Sequence, residues 1–94
     1  RSNIITHKQI DIFDLLLGTK VGISSPEGKT YDLTIPAGTK PGTTFSMHNL
    51  GLPDIRTNKR GSIYVTLDAS VPVIKDESIL NKIKDIKNAI NSKS

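Results

Sequence analysis

The chain contains no cysteine and no tryptophan, and it has only two phenylalanines and two tyrosines. Without cysteine it can form neither a disulfide framework nor a thiolate metal site, and this absence favours a reducing, cytoplasmic location. No apolar run approaches the ~20 residues needed to span a bilayer, so no membrane partner is expected. With 94 residues and a hydrophobic fraction of 35%, we expect one domain with a modest core and ordinary stability.

Charge of one sign is not concentrated anywhere in the chain. The net charge is +4, and the densest basic stretch is Arg56-Thr57-Asn58-Lys59-Arg60. A short stretch of this kind is more typical of a solvated turn than of a nucleic-acid contact. The chain opens at Arg1 instead of a methionine, and we interpret it as part of a longer protein.

The residues that usually carry catalysis are sparse. His7 and His48 have no cysteine partner, and neither stands at a metal-ligand spacing from a second histidine. The glycines fall in predicted hairpin turns and not between a strand and a helix, as a phosphate-binding loop requires. Ser62 follows Arg60-Gly61 and lacks the context of a nucleophile elbow. We therefore expect no enzyme activity, no cofactor and no metal.

Alternation of apolar and polar residues predicts a mainly β fold. The segment 30–35 places Tyr31, Leu33 and Ile35 on one surface, because successive side chains of a strand point to opposite faces. With the preceding segment 19–25 and the turn Ser25-Pro26-Glu27-Gly28, it predicts a hairpin. Shorter strands are predicted over 4–10 and around Phe45 and Met47. The longest alternation runs over 62–73 and predicts a strand whose Pro72 end lies at a sheet edge.

Two segments have helical patterns. Asp11 to Gly18 predicts a short helix, since Asp11 can cap its free amides and Gly18 can adopt the left-handed closing conformation. Its body is apolar nearly all round, so we expect one face on the sheet and the other against an adjacent domain. The segment from Asp76 to Asn91 predicts a longer helix with isoleucines spaced four, three and four residues apart.

The run Ile35-Pro36-Ala37-Gly38-Thr39-Lys40-Pro41-Gly42 is the most distinctive feature of the sequence. Pro36 ends a strand, Gly38 and Gly42 permit positive φ, and Pro41 fixes the corner. We interpret the run as an architectural turn and not as a binding site.

Taken in order, these segments resemble the second C-terminal β-domain of DnaJ-type J-domain co-chaperones, from about Asn3 to Ile90. The resemblance rests on the following motifs: Asn3-Ile4-Ile5, Leu15-Leu16-Leu17-Gly18-Thr19, Glu27-Gly28-Lys29, Ile35-Pro36-Ala37-Gly38-Thr39, Gly51-Leu52-Pro53 with Arg56, Arg60-Gly61-Ser62-Ile63-Tyr64-Val65, and Val71-Pro72. The second copy is indicated because Val71-Pro72-Val73 runs directly into a terminal helix. Two departures are Asn49 in place of glycine and Ser62 in place of aspartate, and Asn49 can still adopt a left-handed turn.

The resemblance implies a small two-sheet β-sandwich with one short internal helix and a C-terminal helix. It divides the chain into the β-domain, 1–75, and a dimerisation helix with its tail, 76–94. It also implies a homodimeric co-chaperone that holds non-native client polypeptide and delivers it to a DnaK-type ATPase. The His-Pro-Asp motif that stimulates this ATPase is absent from the chain. In the family, the first β-domain is the main client site, and the second supports it and leads to the dimerising C-terminus.

Two hypotheses assign residues to these roles. In the first, a stripe of the terminal helix packs against a second chain or its β-domain; the alternative is that this helix folds back on its own sheet. The stripe consists of Ile79, Leu80, Ile83, Ile86 and Ile90. In the second, an edge strand adds a client strand over a shallow apolar groove, and the alternative is that the groove residues are ordinary core. These groove residues are Val21, Ile23, Phe45 and Met47.

Two other classes of function stay open. A basic nucleic-acid-binding module would use Arg56, Lys59 and Arg60, but aromatic residues are not interleaved with them. A purely structural dimerisation domain would bind no client at all.

Overall fold

The computed structural model describes residues 3–93. Arg1, Ser2 and Ser94 lie outside the described residues, and so do the extreme ends of the predicted segments 1–75 and 76–94. The elements follow one another as β1 (Ile4–Asp11), α1 (Ile12–Leu17), β2 (Thr19–Ser24), β3 (Thr30–Ile35), β4 (Thr44–Met47), β5 (Ile63–Ser70) and α2 (Glu77–Lys93). The mainly β composition, with a short internal helix and a C-terminal helix, is confirmed.

The larger sheet has three strands in the order β1-β5-β4. β1 runs parallel to β5, from the pair Ile4 and Ile63 to the pair Asp11 and Ser70. β4 runs antiparallel to the first half of β5. The centre of the sheet is therefore the strand with the longest alternation, and β1 and β4 form its two edges.

The smaller sheet is the hairpin of β2 and β3, paired from Thr19 with Ile35 to Ser24 with Thr30. Its corner is closed by the Gly28 N–H, which donates to the Ser25 carbonyl at 3.0 Å. The hairpin that the sequence predicts is confirmed, and both of its strands are edge strands.

The core lies between the two sheets and is closed at one end by α1. Alternate residues of β5 are fully buried, while Tyr64, Thr66 and Asp68 lie on the opposite face of the strand. The fold is thus a two-sheet β-sandwich, as expected. Its buried residues are Ile10, Leu15, Ile23, Ile35, Ile63, Val65 and Leu67.

Both residues that the sequence indicates as caps hold helix α1, but Gly18, at φ 87° and ψ 150°, is extended at positive φ and does not adopt the predicted left-handed helical conformation. The Asp11 carboxylate accepts a hydrogen bond from the Phe13 N–H at 2.8 Å, and the Gly18 N–H donates to the Asp14 carbonyl at 2.8 Å. Leu15 is buried, whereas Leu16 and Leu17 are exposed. The helix therefore covers the end of the core with one face and leaves the other open.

The turn that joins β3 to β4 has the architectural role expected of it. Gly38 and Gly42 have φ angles of 80° and 87°. The Gly38 N–H donates to the Leu15 carbonyl at 2.8 Å, and the Gly42 N–H donates to the Leu67 carbonyl at 2.7 Å. The turn therefore ties α1 to the central strand.

β5 is shorter than its sequence pattern indicates. It ends at Ser70, and Val71 and Val73 are exposed. β1 ends opposite Ser70, where the chain turns into α1, so no strand continues beside β5 beyond that point. Pro72, which has no N–H to donate, lies in the segment that leads to α2.

Helix α2 contributes nothing to the core of its own domain. It spans Glu77–Lys93, and none of its residues is buried. Asp76 caps it, because its carboxylate accepts hydrogen bonds from the N–H and the hydroxyl of Ser78 at 2.9 Å and 2.7 Å. The side-chain hydrogen bond from Ser78 lowers the pKa of Asp76 the most, and the hydrogen bond from the Ser78 backbone N–H lowers it further.

Candidate functional site

A cleft of about 250 Å³ opens between the free edge of β1 and the free edge of β2. It runs along the line where the two sheets of the sandwich come together but do not pair. Its lining consists of Ile4, Thr6, His7, Lys8, Gly22, Ile23, Ser24 and Ile63.

The backbone of β1 directs unused hydrogen-bonding groups towards this cleft. The Ile4 N–H donates to the Ser62 carbonyl at 2.9 Å, so Ile4 and every second residue after it bond to β5. The N–H and C=O groups of the residues between them point away from β5, to the free edge. His7, which lines the cleft, is one of these residues.

The backbone of β2 also directs unused hydrogen-bonding groups into the cleft, from the opposite side. The Ser25 N–H donates to the Lys29 carbonyl at 2.7 Å, which makes this a bonded pair of the hairpin ladder. Because bonded and non-bonded pairs alternate in an antiparallel ladder, Gly22 and Ser24 direct their backbone groups away from β3. Both residues line the cleft, so two unpaired strand edges face each other across it.

The base of the cleft is apolar and its rim is polar. Ile23 and Ile63 are buried and belong to the hydrophobic core, and Ile4 packs against them. Lys8 and Ser24 at the rim are exposed. This combination can accept an extended polypeptide, because backbone pairing supplies affinity and the apolar base receives alternate side chains.

The structure separates the four residues of the predicted groove. Ile23 lines the cleft. Val21, Phe45 and Met47 are half-buried and pack against the core, on strands that belong to different sheets. Val21 lies on β2 and the other two on β4, and both of these are edge strands, as the hypothesis requires.

Sequence reasoning missed the contribution of β1 to the cleft. Thr6 and Lys8 line it, but β1 has imperfect alternation and carries no motif that marks it as a binding edge. The sequence feature that could have indicated the cleft is Gly22, because a glycine inside a strand often marks a close approach of another backbone.

The predicted stripe on α2 is open to solvent. Ile86 and Ile90 are 57% and 58% exposed, and Ile79 and Leu80 are 43% and 37% exposed. Ile83 is partly covered. The alternative in which the helix folds back on its own sheet does not describe this arrangement, because no residue of α2 is buried.

The basic stretch 56–60 forms a tight turn in which one arginine is paired with a carboxylate. The Asp54 N–H donates to the Lys59 carbonyl at 2.7 Å, which closes the turn. The Arg60 guanidinium donates to the Glu27 carboxylate at 3.2 Å and links this loop to the hairpin corner. Arg56 and Lys59 are exposed, so two cations of this stretch face solvent.

Both histidines make contacts between neighbouring segments of the larger sheet. His7 Nδ1 lies 3.1 Å from Asp68 Oδ2, and His48 Nδ1 lies 3.1 Å from the Ser62 hydroxyl. Within residues 3–93, no three His, Cys, Asp or Glu side chains are grouped as a metal ion would require. At the surface, the His7 pair links β1 to β5, and the His48 pair links the residue after β4 to the residue before β5.

Neither described helix has the length and apolar character required to cross a lipid bilayer.

The chain is similar to bacterial chaperones over most of its length. It is 33% identical over 85 residues to a "Chaperone protein DnaJ" of Thermosipho melanesiensis, a match that covers 90% of this chain and 23% of that protein. It is 38% identical over 71 residues to the "Chaperone protein DnaJ" of Thermotoga petrophila, covering 76% of this chain and 19% of that protein. It is 30% identical over 80 residues to the "Chaperone protein DnaJ 1" of Corynebacterium glutamicum. That match covers 85% of this chain and 21% of that protein.

The chain therefore spans less than a quarter of the length of these relatives. The family model that describes the DnaJ C terminal domain matches residues 1–72, which hold both sheets and α1. On this match and the two-sheet architecture, the chain belongs to the DnaJ C-terminal domain family of chaperone proteins.

Proposed function

We propose that this chain is the second C-terminal β-domain of a DnaJ-type co-chaperone. In this proposal residues 1–75 form the β-domain that helps bind non-native polypeptide, and 76–94 form the dimerisation helix and its tail. The parent protein would deliver the bound client to a DnaK-type ATPase. The match to DnaJ chaperones supports the chaperone class, and the direct run from Val71 into α2 supports the second position.

The observation that carries the client-binding role is the cleft with two unpaired strand edges. An extended client segment would pair with the edge of β2 through the outward backbone groups of Gly22 and Ser24. Alternate client side chains would then lie over Ile23 and Ile63. Such binding depends weakly on client sequence, since most of the hydrogen bonds are made to the backbone.

Replacement of Ser24 by proline tests the pairing. Ser24→Pro removes an outward N–H without removing a bond of the hairpin, because Ser24 bonds away from β3. We expect a several-fold to tenfold weaker affinity for a reduced, carboxymethylated protein, since a tenfold change corresponds to about 1.4 kcal/mol. Ser24→Ala keeps the N–H and is the matched control, with folding of both variants checked by circular dichroism. Equal affinity of two folded variants would exclude β2 as the pairing edge.

A wider groove would include Val21, Phe45 and Met47. Val21→Asp and Met47→Asp place a charge at half-buried positions of the two edge strands, so each variant is first checked for folding. If the groove extends this far, both variants should bind the unfolded reporter more weakly. Unaltered affinity would confine binding to the cleft.

The dimerisation role is assigned to the exposed stripe of Ile79, Leu80, Ile83, Ile86 and Ile90. Burial of the four isoleucines of this stripe would contribute on the order of 6–10 kcal/mol before entropy losses. Sedimentation equilibrium of a chain that ends at Asp76 tests this role. The truncated chain should sediment as a monomer and the longer one as a dimer, and a dimeric truncated chain would remove α2 from the interface.

Salt dependence separates the client-binding role from a basic nucleic-acid-binding module. Two exposed cations, Arg56 and Lys59, favour this second candidate. Nucleic-acid binding should fall steeply as salt is raised, whereas capture of an unfolded reporter through backbone and apolar contacts should change little. A purely structural dimerisation domain would bind neither nucleic acid nor the unfolded reporter at any salt concentration.

A further inference from the structure

The hairpin of β2 and β3 is attached to the rest of the fold in different ways at its two ends. At the end next to α1, Ile35 is buried in the core. The Gly18 N–H, just before β2, donates to the Asp14 carbonyl. The Gly38 N–H, three residues beyond β3, donates to the Leu15 carbonyl. This end of the hairpin is therefore fixed to α1 by hydrogen bonds as well as by burial.

The other end of the hairpin, the tip 24–30, is held by a single polar contact. The Arg60 guanidinium donates to the Glu27 carboxylate at 3.2 Å. Within residues 3–93, no other hydrogen bond or ion pair joins the hairpin 19–35 to a segment outside it. Both side chains of this pair are partly exposed, so the contact is weak and is easily broken.

Arg60 is the fixed half of this pair. Its backbone forms an antiparallel bridge with Pro53, and the Gly61 N–H beside it donates to the Leu52 carbonyl at 3.0 Å. Arg60 also lies three residues before Ile63, which belongs to the base of the cleft. Glu27 lies in the hairpin turn, so loss of the pair frees the tip and not the segment that carries Arg60.

The tip contains a buried hydroxyl group that favours its release. Ser25 is 7% exposed, and its Oγ has no hydrogen-bond partner among the described residues. Burial of an unpaired hydroxyl is unfavourable, so the closed position of the tip is less stable than its apolar packing alone would make it. Movement of the tip away from the larger sheet would expose this hydroxyl to water.

The same end of the hairpin forms one wall of the cleft between β1 and β2. Gly22, Ile23 and Ser24 line the cleft on this side, and Thr6 and Lys8 line it on the side of β1. Outward movement of the tip would carry Ser24 away from β1 and widen the cleft beside it. It would also partly uncover Ile23, which leaves an apolar surface that a client side chain can cover.

We infer that the tip 24–30 is a hinged flap and that the pair of Arg60 and Glu27 is the latch that holds it over the cleft. The hinge is the fixed end of the hairpin at α1, and the flap opens to admit an extended client segment. This inference rests on the proposed client-binding role of the cleft. Client affinity then depends on the fraction of molecules with an open flap, because only these molecules can receive the client.

Thiol labelling of the full chain measures flap opening without any client. The chain has no cysteine of its own, and Ser25→Cys places a side chain of similar size at the buried position. In this background, Glu27→Arg should raise the labelling rate about twofold to fivefold, the range for loss of an exposed ion pair. Further addition of Arg60→Glu should restore the slow rate. A labelling rate no faster than global unfolding, measured by urea denaturation, would mean that no flap exists.

The matched control for the charge change is Asp32→Arg. Asp32 is an exposed residue of β3, so this variant changes the charge of the hairpin by the same amount and leaves the latch intact. We expect it to alter neither the labelling rate nor the affinity for client.

Client affinity is the second measurement, with the reduced, carboxymethylated protein as the probe. Glu27→Arg alone should bind it about twofold to fivefold more tightly than the original chain, because the flap is open more often. Ser25→Ala removes the unpaired hydroxyl and favours the closed flap, so it should bind the probe several-fold more weakly.

The outcomes separate the latch from the client-binding role. If the original chain binds the probe but Glu27→Arg changes neither the labelling rate nor the affinity, the latch is refuted and the client-binding role stands. A faster labelling rate with unchanged affinity would likewise refute control of client entry by the flap. If the original chain does not bind the probe, the inference and the client-binding role both fail.

Discussion

At the scale of single residues, Gly18 joins the end of α1 to the start of β2 in a crowded position. Its φ angle is 87°, and an added Cβ would lie 3.1 Å from the Ala37 nitrogen and 3.2 Å from the Ile35 carbonyl oxygen. Both neighbours are backbone atoms of the β3 end and its turn, which cannot move aside as a flexible side chain can. Asn49, by contrast, has a φ of 65°, which confirms that it adopts the left-handed turn expected of it.

Substitution of Gly18 by alanine should therefore destabilise the fold for two reasons. We expect Gly18→Ala to lower the free energy of unfolding by about 2–4 kcal/mol, from backbone strain and steric overlap together. Gly28 has a φ of 84° and nothing within 4 Å of an added Cβ, so Gly28→Ala carries the strain alone, about 1–2 kcal/mol. Urea denaturation measures both. Equal losses in the two variants would mean that the contact with the turn is not rigid.

At the scale of elements, β5 holds the sandwich together because it pairs with β1 and β4 and supplies three of the buried core side chains. Leu67 is 0% exposed, and its backbone is bonded to the turn at Gly42 and Thr43. Tyr64, Thr66 and Asp68 face outward from the same strand. Loss of packing at this strand affects both sheets at once.

Leu67→Ala should lower the free energy of unfolding by about 2–5 kcal/mol, since it removes buried methyl groups and leaves a cavity. Val71 lies just beyond the strand and is 73% exposed, so Val71→Ala should change stability by less than about 0.5 kcal/mol. Thermal and urea unfolding provide the comparison. A small effect at Leu67 would argue against a core shared by the two sheets.

The cap of α2 predicts a pH dependence for that helix. The pKa of Asp76 is lowered from 3.8 by its hydrogen bonds with Ser78. A carboxyl group with a lowered pKa stabilises the folded form at pH values above its ordinary pKa. This contribution is lost as the pH falls through the pKa that the group has in the folded state. Helicity at 222 nm should therefore decrease below about pH 4.

Asp76→Asn keeps a capping side chain but cannot titrate in this range. The acid-induced loss of helicity should be smaller in this variant than in the original chain. Identical acid titrations of the two proteins would show that the cap does not control the stability of α2.

At the scale of the whole molecule, the β-sandwich and α2 are stabilised by different contacts. The sandwich encloses its own core, whereas α2 has 17 residues and no buried side chain. Isolated helices of about this length are marginal in water. The helix should therefore depend on contacts with another chain, and the sandwich should not.

Dilution tests this difference. We expect helicity at 222 nm to fall as the protein is diluted through the dimer dissociation range, while the near-ultraviolet signal of Tyr31 and Tyr64 in the sandwich stays constant. Chains ending at Asp76 should show no dependence on concentration in either signal. Helicity that is independent of concentration would mean that α2 is stable alone.

The amino-acid sequence by itself determined the local structure of this protein. The two-residue alternation, the caps at Asp11 and Gly18 and the turn residues act between near neighbours, so they predict the strands, the helices and the hairpin of β2 and β3. The order of the motifs also indicated the family, which the comparison with known chaperones confirms. The exposed isoleucine stripe of α2 is visible from the helical period alone.

Tertiary structure alone decided how these elements meet. The parallel pairing of β1 with β5 joins segments almost sixty residues apart, and no local pattern specifies that register. The pairing places two free strand edges on either side of a cleft and ends β5 at Ser70, where β1 turns into α1. Only this arrangement determines which backbone groups stay unpaired and which apolar faces stay uncovered, because both depend on contacts between distant parts of the chain.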